Sequence, residues 1–412
     1  MTDTRTARRP AWQTPLVIVV CGCLIAIIGF GPRASLGLFL TPMSSAHGWG
    51  REVFALALAL QMLIWGAAQP FVGAIADRFG PVTVLCVGAA LYAAGLGWMA
   101  NASSPGELYL SAGFLTGFGL AGASFTVVIG AFGKLLPVRW RSLSFGLGTA
   151  GGSFGQFLFA PVAIGLNNVF PWQTTLMIFG AVVLAIMPLA FALALPRDAS
   201  SGAAQVRQQS VSQALREALS HGSYIYLVLG FFTCGFQVFF ITVHLPAYLV
   251  DRGLSADIGA WTVAVIGLFN IIGSISAGYL SDKMPKRYLL AAIYFLRSVA
   301  IAVFISVPAS PLTAVIFGAV IGLLWLSTVP PTNGLVALMF GTRWLTMLAG
   351  FAFFSHQVGG FLGVWLGGVI FERTGSYDII WWLAILLGIL SAVINLPIAE
   401  KPVARPAAAA AA

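Results

Sequence analysis

Charge is what this sequence has least of. Only 8% of its 412 residues are Asp, Glu, Lys or Arg, against roughly 25% in a soluble domain. Twenty-one cations and twelve carboxylates cannot give a chain of this size a water-facing surface. That excludes most soluble enzymes, disordered proteins and nucleic-acid binders. Cysteine is also scarce. Cys21, Cys23, Cys86 and Cys234 all fall in apolar runs and form no Cys-x-x-Cys pair, so they are small packing residues rather than a metal or redox centre. No His-Glu-x-x-His occurs, which removes the usual zinc hydrolase pattern. No catalytic residue, metal or cofactor is expected. What is abundant is apolar surface: 59% of residues are hydrophobic and the mean hydropathy is +0.94. The solvent for most of this chain is lipid.

A helix needs about 20 apolar residues to cross a bilayer. Reading for such runs predicts an all-α integral membrane protein with twelve spans, at 15–40, 53–76, 82–101, 106–132, 142–166, 173–195, 223–250, 258–281, 288–307, 312–339, 345–371 and 379–398. The first run is too long for a signal peptide and has no small-residue cleavage site. Twelve spans put sixteen of the cations on the side of the termini, only Arg51, Arg252 and Arg373 on the other, and Arg33 and Arg297 inside spans. By the positive-inside rule both termini are cytoplasmic, in an inner membrane.

The longest cytoplasmic connection, 196–222, divides the spans six and six. The expected organisation is an N-terminal bundle (1–195), a linker (196–222), a C-terminal bundle (223–400) and a tail (401–412). Val211 to Leu219 has the pattern of a short amphipathic helix at the membrane surface. An internal repeat supports the division. Gly73-Ala-Ile-Ala-Asp77-Arg78 follows span two, and Gly278-Tyr-Leu-Ser-Asp282-Lys283 follows span eight, 205 residues later. The glycines allow two helices to approach, and each Asp suits the positive end of a neighbouring helix. Six spans repeated in the same orientation are the parallel duplication of the major facilitator fold.

The chain resembles bacterial members of the monocarboxylate transporter family within that superfamily. Four stretches carry the likeness. In span one Gly31-Pro32-Arg33-Ala-Ser35-Leu-Gly37-Leu-Phe39 is similar to the family's Pro-(Lys/Arg)-Ser-x-Gly-x-Phe. Around span five Arg139-Trp140-Arg141 precedes the glycine-rich Ala150-Gly151-Gly152-Ser153-Phe-Gly155. Thr242-Val-His244-Leu-Pro246 and Ser355-His356-Gln357 resemble bacterial branches. The resemblance implies a role in substrate binding for Arg33. It also exposes a departure. Animal members carry an Asp and an Arg four residues apart in span eight, where this chain has Asn270 and Ser274. Their coupling mechanism does not transfer.

Ionisable groups well inside spans are costly and point to function. Here they are Arg33, Arg297, His244 and His356. Arg33 lies roughly 27 Å from the inner face, where it either snorkels to the headgroups or clamps an anion. Arg297 is roughly 14 Å deep. It either satisfies backbone groups or replaces the cation absent at Ser274 and binds a carboxylate. Histidine as a residue type changes charge in a useful range, so His356 and His244, with Asp257 at the outer start of span eight, are the proton-coupling candidates. Gln237, Asn270, Asn333 and Gln357 extend the expected substrate site, and Trp65 and Trp325 supply apolar walls. Pro330-Pro331 interrupts span ten and offers a hinge.

The function expected is a secondary transporter of small organic anions, monocarboxylates above all, working by alternating access and coupled to H+ or uncoupled. Its partners are then the substrate and the bilayer, with the single chain as the functional unit. Efflux of hydrophobic drugs or metabolites is the alternative within transport; a membrane receptor without transport is the alternative outside it.

Overall fold

The computed structural model describes residues 10, 12–49, 51–195 and 209–403. Residues 196–208 of the linker, the extreme N-terminus and most of the tail lie outside that set. Among the described residues twelve helices are long and apolar enough to cross a membrane: Pro15–Phe39, Leu56–Phe79, Pro81–Ala100, Pro105–Leu135, Val138–Asn167, Trp172–Leu193, Gly222–Asp251, Asp257–Leu280, Lys286–Ser306, Pro311–Phe340, Leu345–Thr374 and Asp378–Asn395. They are numbered here as spans one to twelve. The face carrying most of the Lys and Arg is called the inner face.

Local chemistry sets the helix ends. Thr14 accepts the N–H of Val17 at 3.3 Å and Pro15 opens span one, since a first-turn proline loses no hydrogen bond. Ser310 and Thr313 form a reciprocal capping box ahead of span ten. Gly375, at φ +69°, ends span eleven in a left-handed turn that favours glycine. In the linker, Val211–Leu219 is a helix with a Ser210–Gln213 capping box, and Ala214 and Ala218 are buried.

The two halves repeat the same packing. Spans one and five, two and four, and three and six pair in the first half. Seven and eleven, eight and ten, and nine and twelve pair in the second. This is the arrangement a parallel duplication produces. The glycine-rich stretches serve these contacts: a Cβ at Gly117 of span four would lie 3.1 Å from the carbonyl oxygen of Gln61 on span two, and one at Gly151 of span five 3.1 Å from that of Cys23 on span one.

Across the halves, span two packs on span eleven and span five on span eight. Here glycine is obligatory. A Cβ at Gly73 would sit 2.6 Å from the carbonyl oxygen of Thr346, and one at Gly278 would sit 2.7 Å from that of Ser142. Both repeat motifs thus lie at crossings between the halves, near the inner face.

Candidate functional site

Span ten is two helices, Pro311–Leu324 and Val329–Phe340. The break lies at Trp325–Thr328, before the proline pair rather than at it. Pro330 and Pro331 have no N–H, and their rings exclude the carbonyls of residues 326 and 327 from an α-helical turn. They are tolerated in the first turn of the second half-helix. The cost is a set of freed backbone groups deep in the membrane.

Two expected site residues take up those groups. Arg297 is 1% exposed. Its Nε and Nη2 donate to the carbonyl of Leu324 at 2.9 and 2.6 Å, Nη2 also donates to that of Trp325, and Nη1 reaches Gln237 Oε1 at 3.4 Å. A cation at the C-terminal end of a helix meets the negative end of its dipole. Asn270 Oδ1 accepts the N–H of Leu326 at 3.0 Å and the hydroxyl of Ser274 at 3.2 Å, while Nδ2 donates to Ser153 Oγ of the first half at 2.6 Å. Gln237 donates to Ala384 O at 2.9 Å, joining span seven to span twelve. Arg297 and Gln237 therefore stand inside the second half, and Asn270 at the seam.

Arg33 has a different setting. It is half-buried, with its guanidinium carbon 5.0 Å from the ring of Trp65. Its Nε is buried and has no hydrogen-bond partner, and no carboxylate pairs with it among the described residues. Beneath it four rings close on one another: Phe30–Trp65 at 5.5 Å, Trp65–Phe353 at 4.9 Å, Phe353–Phe125 at 5.9 Å and Phe125–Phe30 at 5.6 Å. Three come from the first half, and Phe353 comes from span eleven. Next to it, His356 is buried between Phe231, Phe239 and Phe353. Its Nδ1 is 3.4 Å from Gln357 Oε1, and its Nε2 has no partner. Gln357 Nε2 donates to Met62 O of span two at 3.4 Å.

The remaining candidates are scattered. His244 is held by Tyr377 Oη at 3.2 Å and Val364 O at 2.9 Å, within the second half. Asp257 is exposed in the first turn of span eight. Asn333 donates to Val329 O at 2.9 Å and leaves Oδ1 unpartnered.

At the inner face the first repeat motif is a latch. The Asp77 carboxylate, fully buried, accepts from Lys134 Nζ at 2.6 Å, Thr346 Oγ1 at 2.7 Å and the N–H of Met347 at 2.8 Å. Thr346 and Met347 are in the first turn of span eleven, where N–H groups have no intrahelical acceptor. Asp282 of the second motif is exposed and has no such contact among the described residues. The reason is helix length. Gly278 opposes Ser142, four residues into a helix that already starts at Val138, so the nearby N–H groups are used within span five. Arg78 is exposed over Phe79.

Residues 22–364 match the sequence profile of the Major Facilitator Superfamily. The chain belongs to that superfamily. Among characterised folds, the proton:xylose symporter XylE superposes with a TM-score of 0.74 at 14% identity, covering 93% of this chain and 96% of that one. The transporter FucP, solved in the outward conformation, gives 0.70 at 16%, covering 92% and 98%. In sequence the chain is 28% identical to the uncharacterized MFS-type transporter YcxA of Bacillus subtilis (strain 168), over 97% of this chain and 98% of that relative. It is 29% identical to monocarboxylate transporter 11 of Homo sapiens, over 87% and 78%.

As a superfamily member the chain is a secondary active transporter working by alternating access, and not an enzyme. In that light the joined inner ends of spans two and eleven are one closed gate. Sequence reasoning missed the partners that make it. The sequence places Lys134 only among the sixteen cations on the side of the termini, and Thr346, like Phe353 of the aromatic floor, carries no local signal because it acts on a residue over 200 positions away.

Proposed function

We propose that the transported substrate is a small organic anion, a monocarboxylate, with its carboxylate on Arg33 and its apolar part against Trp65. The observation that carries this reading is Arg33 itself: a half-buried guanidinium, unpaired among the described residues, with a buried Nε left free above an aromatic floor. A cation in such a place lacks only its anion. Asn270, Gln357, His356 and Asn333 supply further polar contacts as the halves move, and His356 is the preferred proton-coupling residue, ahead of His244 and Asp257. Arg297 and Gln237 act one step back, by holding the broken helix. The inner face is the cytoplasm of a cell whose inner membrane holds the protein. The monocarboxylate transporters among its relatives support the substrate class.

Uptake of labelled monocarboxylates into proteoliposomes tests this. Wild-type protein concentrates at least one such acid, and Arg33→Gln abolishes its saturable uptake. Uptake of neutral hydrophobic compounds alone would instead favour efflux of drug-like molecules, which the four-ring floor also suits.

A further inference from the structure

Below the aromatic floor, between spans four, seven, ten and eleven, is a narrow gap bordered by Phe125, Thr126, Phe231, Thr332, Asn333 and Phe353. In the closed inner gate it has room for about one water molecule. Two of its polar side chains are more than nine-tenths buried and unsatisfied: Thr332 Oγ1 and Asn333 Oδ1 have no hydrogen-bond partner among the described residues. Leaving such atoms unpaired in a dry interior costs free energy, because neither protein nor water replaces the bonds they make in solvent. That cost makes sense if another state of the cycle satisfies them. Phe125 and Thr126 belong to the first half and the other borders to the second, so rocking of the halves uncovers both atoms.

The chemistry of the pair is specific. Asn333 Nδ2 spends one of its two N–H groups on Val329 O, and its free Oδ1, a carbonyl oxygen, accepts. The Thr332 hydroxyl is free to donate. No charged group borders the gap. The charged and titratable groups around it are His356 behind Phe231 and Phe353, Cys234 on span seven with Arg297 beyond it, the Lys134–Asp77 pair, and Lys286, whose stem lies against Gly334 at the inner end. An acceptor beside a donor in an apolar, uncharged pocket fits an undissociated carboxyl group, not a carboxylate.

We propose that the gap is a second, inner binding site that takes the substrate as the neutral carboxylic acid, its O–H donating to Asn333 Oδ1 and its carbonyl accepting from Thr332. This deepens the monocarboxylate reading and rests on it. The proton is the acid's own: a carboxylate and one H+ from water combine to give the acid, which dissociates again when released. The site needs no protein carboxylate deep in a span, and every carboxylate of this sequence lies in a loop or at a span end.

The test uses full-length protein in oriented proteoliposomes, with labelled acetate and pyruvate offered to either face across a pH series. At the inner face, KM for the weaker and the stronger acid coincide when written as undissociated acid, so KM in total acid rises about tenfold per pH unit. The near-isosteric Thr332→Val raises inner-face KM by about tenfold, one hydrogen bond's worth, and leaves outer-face KM unchanged; Asn333→Leu raises inner-face KM by a similar factor. Coincidence of the two acids as anions, equal weakening at both faces, or no effect of Thr332→Val would each overturn the proposal. If wild-type vesicles take up neither acid, the monocarboxylate reading itself fails. If they do so in an Arg33-dependent way while inner-face KM follows the anion, only the inner site fails.

Discussion

Arg297 on span nine places Nε and Nη2 on one carbonyl oxygen, that of Leu324, at 2.9 and 2.6 Å, at the point where span ten breaks. A buried cation is thereby spent on backbone. Arg297→Gln removes most of that cap and takes both donors from the Leu324 carbonyl, while the Cys234 thiol still reaches Trp325 O at 3.8 Å. We expect a stability loss of about 2–5 kcal/mol, read as a lower unfolding temperature in detergent, with KM for transported acid changed less than about threefold. A Vmax loss partly restored in Arg297→Ala by free guanidinium would show that the side chain acts by holding the break. An unchanged unfolding temperature with a large rise in KM would return Arg297 to the substrate.

The two Gly-x-x-x-Asp motifs are alike in sequence and unlike in contact, so their variants diverge. Asp77→Asn weakens bonds to Lys134, Thr346 and Met347 and shifts the equilibrium toward an open inner gate by about 1.5–3 kcal/mol, the worth of a charge-assisted hydrogen bond. Asp282→Asn shifts it by less than about 0.5 kcal/mol, as an exposed substitution does. Thiol labelling from the inner face at a cysteine placed at Ala349, in a background without the four native cysteines, reports the gate. Equal effects of the two variants would refute the asymmetry.

Close approach at Gly73 is a steric requirement. Gly73→Val pushes a side chain into the Thr346 carbonyl, only 2.6 Å from where its Cβ must lie, and is expected to hold the inner gate open and reduce net transport at least about tenfold. Gly267→Ala, where a Cβ meets nothing within 4 Å, is the control and retains transport, with helix stability raised by up to about 1 kcal/mol.

Phe353 is the single ring that the second half adds to the four-ring floor. Phe353→Ala opens a passage between the Arg33 site and the inner gap and is expected to add an uncoupled leak, seen as acid flux without saturation in proteoliposomes. Phe30→Leu keeps the floor closed and keeps saturable kinetics. A leak of equal size in both would mean that the floor is not the partition.

The fold was legible because the bilayer imposes a one-dimensional rule. Span length, apolar content and the bias of Lys and Arg act along the chain, and two motifs 205 residues apart exposed the repeat. The break in span ten was legible too, from Pro330-Pro331, although the helix parts one turn earlier because a proline disturbs the turn before it. Arg33, Arg297, His244 and His356 could likewise be picked out, since charge in lipid is rare enough to count, whereas the buried Thr332 and the Asp77–Lys134 pair could not.

Sequence alone determined twelve spans and the repeat, and it singled out Arg33, Arg297, His244 and His356 as ionisable residues in apolar runs. It did not decide which of those residues are free. Arg33 and Arg297 look alike as lone cations in apolar runs. Only tertiary packing shows that one meets freed helix carbonyls while the other meets an aromatic ring and leaves Nε unpartnered. Asp77 and Asp282 look alike in the same way, and only the start points of the opposing helices separate them. Hydrogen-bond satisfaction depends on groups that are distant in the chain and adjacent in space, and for that reason the fold, not the pattern, chose the site.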